Sequence, residues 1–184
     1  MRKASPADPK KRKGLIIVNT GDGKGKSTAA FGLALRAAGN KMNVFIMQFM
    51  KGKWKAGEQK SFEKLSPYIE IVPMGDGFTW DTQNIEQDKV TARKAFNIAK
   101  EKLLSGTYQM IIFEEINYVL DYQFFPLDEF LDLIKNKPES LHVVCTGRNA
   151  SDKLIEIADL VTEMKSIKHP FKDQGIPAQK GIEF

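Results

Sequence analysis

Short apolar runs, each of a strand's length, recur along the chain between longer and more polar stretches. They are Leu15–Asn19, Asn43–Met50, Ile69–Pro73, Met110–Phe113, Leu141–Thr146 and Leu160–Met164. Most are apolar almost throughout instead of alternating with polar residues, which is typical of strands covered on both faces of a parallel sheet. The pattern therefore predicts about six strands, the last of them weaker than the others.

Helical signals fill several of the stretches between these runs. We expect helices over Ser27–Ala38, Ile85–Leu104 and Leu127–Lys135, and Ser151 is able to cap a further helix that continues to Ala158. Strands that alternate with helices indicate βαβ units, so the chain is predicted to be an α/β protein with a mostly parallel sheet flanked by helices. In such sheets ligands bind beyond the carboxyl ends of the strands.

The basic residues are concentrated at the amino terminus. The chain has 184 residues and a net charge of +5, and residues 1–13 alone hold six Lys and Arg against one Asp. Residues 14–184 are therefore neutral overall, which argues against a nucleic-acid partner, because such proteins usually carry a basic face within the fold. We expect residues 1–13 to be a flexible basic arm. It is either a solvated tail, a segment that closes over a polyphosphate or a partner subunit, or a contact for nucleic acid.

Membrane, secretory and disulfide-rich classes are disfavoured. No apolar run approaches the roughly 18 residues of a membrane span, and no apolar segment follows the basic amino terminus as in a secretory signal. Cys145 is the single cysteine, lies in an apolar run and is expected to be a packed core thiol. One cysteine and only two histidines argue against a zinc cluster. The lone cysteine also fits a reducing compartment, so a cytoplasmic protein is expected.

A glycine-rich segment, TGDGKGKST over Thr20–Thr28, joins the first predicted strand to the first predicted helix. In this setting backbone N–H groups and the helix amino terminus surround a bound anion. We expect Lys26 to reach the phosphate oxygens of ATP and the Ser27 hydroxyl to bind Mg²⁺. The residues predicted to contact ATP are Gly21, Asp22, Gly23, Lys24, Gly25, Lys26, Ser27 and Thr28.

This phosphate loop departs from the usual pattern G-x4-G-K-[ST], whose first glycine would fall at Thr20. The alternating glycines make the loop one residue tighter, so the motif does not by itself predict transfer of the γ-phosphate. Its place between strand and helix nevertheless predicts a single P-loop (RecA-like) domain over residues 14–184.

Charged residues also follow two other predicted strands. Glu114 and Glu115 end the fourth strand, where carboxylates are able to hold Mg²⁺ opposite the phosphate loop; the alternative is a polar strand end without a ligand. Arg148 ends the fifth strand and is placed to reach a triphosphate, although a plain surface role is its alternative.

Two large aromatic residues lie in the polar segment GDGFTWDTQN, after the third predicted strand. Surface loops rarely carry residues such as Phe78 and Trp80 unless a flat or apolar partner covers them. The alternative is that both rings fold back into the core. Lys51–Trp54, after the second strand, shows the same pattern more weakly.

Taken together, these segments resemble the P-loop family of corrinoid adenosyltransferases of the CobA/BtuR type, which act as ATP:cob(I)alamin adenosyltransferases. The resemblance covers residues 14–184 nearly end to end and is carried by Thr20–Gly32, Val44–Trp54, Gly77–Asn84, Thr146–Arg148, Ile167–Phe171 and Gln179–Phe184. Glu114 stands where the family usually has Asp, and Ser27 where it often has Thr. Whether Glu114 or Glu115 is the principal metal partner therefore stays open.

The resemblance implies a reaction in which a cob(I) centre attacks C5′ of ATP and expels the whole triphosphate, with the nucleotide bound in a reversed orientation. Lys26 and Glu115 are then the expected catalytic residues. Mg²⁺ or Mn²⁺ is expected on Ser27, Glu115 and Glu114. Arg148 is expected to contribute to binding ATP.

The resemblance also implies what binds the corrinoid. Phe78 and Trp80 are expected to press on the lower corrin face and keep water or the corrinoid's own base off cobalt, which eases reduction of the cob(II) precursor. A homodimer is expected, with the arm of residues 1–13 able to close over a nucleotide site. The electron donor is expected to be a reduced flavin or flavodoxin.

Two other functions remain open from the sequence. A small P-loop ATPase or kinase would release phosphate steadily without a corrinoid. A non-catalytic module would bind a corrinoid or a nucleotide without chemistry.

Overall fold

The computed structural model describes residues 12–51, 56–75 and 84–183, and its elements are numbered here in chain order over those residues. The strands are β1 Ile16–Thr20, β2 Val44–Gln48, β3 Ile69–Pro73, β4 Met110–Glu114, β5 His142–Thr146 and β6 Leu160–Glu163. The helices are α1 Lys26–Gly39, α2 Gly57–Glu63, α3 Ile85–Leu104, α4 Ile116–Asp121, α5 Leu127–Lys135, α6 Asp152–Ile157 and α7 Pro170–Gln174.

The six strands form one sheet in the order β3-β2-β4-β5-β1-β6. Every neighbouring pair is parallel, so the carboxyl ends of all the strands lie along one edge. The predicted α/β class is therefore confirmed, with a wholly parallel sheet. This order places β5 between β1, which leads into the phosphate loop, and β4, which ends in the acidic pair.

Hydrophobic layers cover both faces of the sheet, as the uninterrupted apolar runs predict. Along β2 the side chains alternate between the layers: Phe45 and Met47 join one cluster, Val44 and Ile46 the other. The first cluster contains large aromatic residues from α3, β4 and α5, and the second contains a row of alanines from α1. These small side chains let α1 approach the sheet closely, which fixes the loop before it.

Most predicted elements are confirmed, and β3, α3 and α5 have the predicted bounds. The short helices α2, α4 and α7 were not predicted, because helices of five to seven residues give little periodic signal. Ser151 caps α6 as expected, since its side chain accepts a hydrogen bond from the N–H of Leu154. Cys145 is fully buried, and burial raises the pKa of its thiol, as befits a core residue.

β6 is an edge strand whose four residues are all exposed, which explains its weak sequence signal. The arm enters the described part of the chain at Arg12 and Lys13, and Lys13 forms an ion pair of 2.5 Å with Asp159. No helix among the described residues is long and apolar enough to cross a membrane.

Candidate active site

The phosphate loop is shaped by contact with the segment that follows β6. Gly21 and Gly25 have φ of +94° and +112°, in the region that favours glycine. A Cβ on Gly21 would lie 2.5 Å from the carbonyl oxygen of Met164. Gly23 donates its N–H to the same carbonyl at 2.6 Å, so this group is already bonded within the protein. The alternating glycines thus serve close packing as well as the loop's own curvature.

Lys26, the first residue of α1, directs its ammonium group into the loop. Its Nζ donates hydrogen bonds to the carbonyl oxygens of Gly21 at 2.8 Å and Gly23 at 2.7 Å. Burial lowers the pKa of Lys26, and Arg148 acts in the same direction, whereas Glu115 opposes the shift. The lysine is therefore held at the loop before any anion arrives, and it gains a favourable interaction when one does.

Ser27 and Glu114 connect the loop to the end of β4. The Ser27 hydroxyl donates to Glu114 Oε1 at 2.8 Å. Burial, followed by the neighbouring Glu115 carboxylate, raises the pKa of Glu114 to about 7, against the opposing hydrogen bond from Ser27. A carboxylate in this environment gains stability from any cation that approaches it.

Glu115 lies at a backbone turn that separates its side chain from that of Glu114. Its φ is +61°, unusual for a residue other than glycine, and its N–H donates to Thr146 Oγ1 at 3.0 Å. Burial raises the pKa of Glu115, while Lys26, Arg148 and Lys51 oppose that shift. Glu114 thus contacts the serine, and Glu115 interacts with the basic residues of the site.

Gly147 makes room for this arrangement at the end of β5. Its φ is +129°, and a Cβ there would lie 3.2 Å from Glu115 Oε2. Asn117 donates from Nδ2 to the Gly147 carbonyl oxygen at 2.9 Å, which ties β5 to α4. The predicted importance of the segment Thr146–Arg148 therefore has a steric component that its sequence did not reveal.

Two charged residues of the loop, Asp22 and Lys24, form ion pairs at its rim. Arg148 lies 3.8 Å from Asp22 in a largely exposed ion pair. Lys24 lies 3.3 Å from Glu183, a residue of the carboxyl-terminal region. Surface pairs of this kind contribute little to stability and leave both basic residues available to a bound phosphate.

These residues surround a cavity of about 390 Å³, called here the loop cavity. Its wall consists of Lys24, Gly25, Lys26, Ser27, Thr28, Met50, Lys51, Glu114, Glu115, Ile182 and Glu183. The structure thus brings the predicted loop residues and acidic pair together. It also adds four residues that were not predicted to be site residues. Met50 and Lys51 follow β2 at the same edge of the sheet, whereas Ile182 and Glu183 arrive from far along the chain.

The residues predicted to bind the corrinoid, Phe78 and Trp80, lie outside the described residues. The chain leading to them is fixed at the sheet edge, because the N–H of Met74 donates to the Gln48 carbonyl oxygen at 2.8 Å. Close packing also brings Gly75 against Phe49, whose carbonyl oxygen would be 2.4 Å from an added Cβ.

The oxygen donors at Ser27 and Glu114 fit a hard divalent cation such as Mg²⁺ or Mn²⁺. The described residues include no group of three or more His, Cys, Asp or Glu side chains arranged to hold a metal. This sparse donor set suits a cation that keeps water and substrate phosphate oxygens as its other ligands. Nearby, Asn117 Oδ1 is buried and has no hydrogen-bond donor among the described residues.

Comparison with solved structures supports the fold. An ATP synthase subunit, NeqB of Nanoarcheaum equitans, superposes with a TM-score of 0.56 at 11% sequence identity. The match covers 89% of this chain and 48% of that one. At such low identity, the likeness concerns the α/β architecture alone.

Sequence relatives are much more similar. A corrinoid adenosyltransferase of Sinorhizobium sp is 47% identical over 174 residues, covering 94% of this chain and 81% of that protein. The corrinoid adenosyltransferase of Escherichia coli K12 is 40% identical over 181 residues, or 98% and 91% of the two chains. One from Pseudomonas aeruginosa is 40% identical over 178 residues, covering 97% of this chain and 87% of that one.

The family profile described as "ATP:corrinoid adenosyltransferase BtuR/CobO/CobP" matches residues 12–184. The match spans the phosphate loop, the acidic pair and the residues that the fold gathers around the loop cavity. The chain therefore belongs to the ATP:corrinoid adenosyltransferase family.

Proposed function

We propose that this family member transfers the 5′-deoxyadenosyl group of ATP to the cob(I) ion of a corrinoid and releases inorganic triphosphate. Residues 14–184 form the adenosyltransferase domain of this proposal, and residues 1–13 form an arm. The observation that carries it is the convergence of Lys26, Ser27 and Glu114 at the phosphate loop of a chain matched by the family over residues 12–184.

In the proposed reaction, the cobalt electron pair forms a bond to C5′ of ATP. The bond between C5′ and the oxygen of the α-phosphate breaks, and its electron pair leaves with the triphosphate. Cobalt is thereby oxidised from cob(I) to cob(III), while no proton needs to move. The demand on the protein is to hold C5′ in line with cobalt and to stabilise a highly charged leaving group.

Lys26 is proposed to meet the charge that develops on the leaving triphosphate. Its ammonium already lies within hydrogen-bond distance of two loop carbonyls, so little reorganisation is needed when phosphate oxygens take their place. The side chains of Lys24 and Arg148 are about half exposed, so both are able to reach phosphate oxygens.

Ser27 and Glu114 are proposed to hold Mg²⁺ or Mn²⁺, with Glu114 as the principal carboxylate because it is the one bonded to the serine. When bound, such an ion would neutralise part of the triphosphate charge. Glu115 has a different proposed role, since Lys26, Arg148 and Lys51 dominate its charged surroundings. It keeps these basic groups oriented around the phosphates.

The corrinoid is proposed to bind beside the β2 and β3 ends, where Gly75 leads into the segment that carries Phe78 and Trp80. Their role against the lower corrin face rests on the family resemblance. A homodimeric assembly and reduction by a flavin or flavodoxin are proposed on the same basis. Size-exclusion chromatography with light scattering would reject the dimer if it gave a monomer's mass at micromolar concentration.

The decisive experiment is anaerobic incubation of the protein with ATP, Mg²⁺ and cob(I)alamin. We expect the adenosylated corrinoid and inorganic triphosphate to form in equal amounts. A small ATPase or kinase would instead release phosphate at the same rate without the corrinoid. A non-catalytic module would bind both ligands and form neither product.

A further inference from the structure

A compact turn in the carboxyl-terminal region lies against the phosphate loop. Gln179 closes this turn, here called the tail turn (Gln179–Glu183), because its carbonyl oxygen accepts from the N–H groups of Ile182 at 3.1 Å and Glu183 at 2.9 Å. Its own N–H donates to Glu183 Oε2 at 2.7 Å, and the other oxygen of Glu183 lies 3.3 Å from Lys24. The carboxylate of Glu183 is thus fixed from both sides, whereas the Ile182 side chain is 75% exposed.

The tail turn lines two cavities that adjoin each other. One is the loop cavity; the other, of about 340 Å³, extends from Ser27 and Thr28 away from the loop and is called here the side cavity. The residues that line both are Ser27, Thr28, Lys51, Glu114, Ile182 and Glu183. A ligand longer than a triphosphate is therefore able to pass from one cavity to the other along Ser27.

The side cavity is less basic than the loop cavity, because Lys24 and Lys26 line only the loop cavity, whereas Phe31 lines only the side cavity. Its outer wall carries the carboxylates of Glu58 and Glu183 together with the apolar side chains of Phe31 and Ile182. Carboxylates repel phosphate but accept hydrogen bonds from sugar hydroxyls, as acidic residues do in dinucleotide sites. Phe31 is held edge-on against Phe62, with ring centroids 5.4 Å apart, and offers a fixed ring to a flat base.

A rival cavity of about 390 Å³ lies on the other side of the loop, beside Gly21, Asp22, Ile155 and Val161. It shares no lining residue with the loop cavity, although the two have similar size. The side cavity, by contrast, shares Ser27 with the loop cavity, so it is the better placed of the two for the nucleoside of a nucleotide whose phosphates contact Ser27.

We propose that the tail turn forms one wall of a nucleoside subsite in the side cavity. In this subsite, Ile182 and Phe31 contact the base, and Glu183 accepts hydrogen bonds from the ribose hydroxyls while orienting Lys24 toward the phosphates. The inference rests on the proposed function, since it takes ATP as the ligand and the loop cavity as the place of its triphosphate.

Comparison of ATP with inorganic triphosphate separates the subsite from the loop. Binding of each is measured by calorimetry on the full chain with Mg²⁺. Ile182→Ala should weaken ATP about tenfold, because a largely exposed isoleucine loses the apolar area that the base would cover, and should leave triphosphate within about twofold. The control is Ile167→Ala, an 89% exposed isoleucine outside both cavity walls, which should change neither ligand.

The ribose contact has its own test. Wild-type protein should prefer ATP over 2′,3′-dideoxy-ATP, and Glu183→Ala should reduce that preference about fivefold because the sugar hydroxyls lose their acceptor. The same variant should bind inorganic triphosphate at least as tightly as wild type, since it removes an anion beside Lys24. A preference that survives unchanged would remove Glu183 from the subsite.

The outcomes keep this inference apart from the proposed function. If inorganic triphosphate fails to bind wild-type protein, the assignment of the phosphate loop itself is wrong. If triphosphate binds but Ile182→Ala leaves ATP affinity unchanged, the tail turn is not part of the nucleotide site. If Ile155→Ala weakens ATP instead, the nucleoside occupies the rival cavity.

Discussion

Replacing Glu114 by glutamine separates two effects of its buried carboxylate: the free-energy cost of ionising it in the folded protein, and its proposed contribution to holding a cation. Glutamine has nearly the same shape and still offers an oxygen to the Ser27 hydroxyl, but it does not ionise. In the folded protein the pKa of Glu114 is raised from 4.5 to about 7. Between these two pH values the folded protein retains a proton that the unfolded chain has already lost, so stability falls as pH rises.

The size of this effect follows from the shift. One pKa unit corresponds to about 1.4 kcal/mol, so ionised Glu114 costs the folded protein about 3 kcal/mol once the pH is above 7. Near pH 5 only about 1 kcal/mol of that cost has developed. We therefore expect Glu114→Gln to raise the free energy of unfolding of the nucleotide-free protein by about 3 kcal/mol at pH 8 and about 1 kcal/mol at pH 5.

Urea denaturation at the two pH values, without divalent cations, measures this difference. Glu101→Gln, at an exposed position of α3, is the control for adding an amide to the protein. The stabilised variant should also need more Mg²⁺ for adenosyl transfer, because its amide no longer neutralises the cation. An equal change at both pH values, or a loss of stability at pH 8, would refute the electrostatic account of Glu114.

Three further predictions concern other parts of the site. Lys26→Ala should lower kcat/KM by about 100-fold while leaving the circular dichroism spectrum unchanged, because one contact to developing charge is worth about 3 kcal/mol; wild-type kinetics in a folded variant would remove Lys26 from the mechanism. Gly147→Ala should destabilise the protein by about 1–2 kcal/mol in thermal melts and should also reduce activity, because the added Cβ would lie 3.2 Å from Glu115 Oε2. Full activity of this variant would show that Glu115 need not hold its position. Replacing Phe78 and Trp80 together by alanine should leave ATP affinity unchanged and reduce turnover most when cob(II)alamin must be reduced in the site. Preformed cob(I)alamin should restore part of the lost turnover. If turnover and the spectrum of bound cob(II)alamin are both unchanged, the two aromatic residues are packing residues.

Local sequence determined the elements of the fold because its signals act over a few residues. A strand such as β3 is visible as an apolar run, and the phosphate loop is visible because alternating glycines before Lys26-Ser27 have few other uses. Parallel strands then bring their carboxyl ends to one edge, which is why Glu114 and Arg148 were predictable neighbours of the loop. The family motifs are of the same local kind.

Tertiary structure decided which side chains meet within that edge. Glu114 and Glu115 are adjacent in sequence, yet only the left-handed turn at Glu115 assigns one carboxylate to Ser27 and the other to the basic residues. Lys24 and Glu183 are brought together by the packing of segments at opposite ends of the chain. No local periodicity encodes such a contact, because its stability depends on how the intervening sheet and helices place the two segments in space.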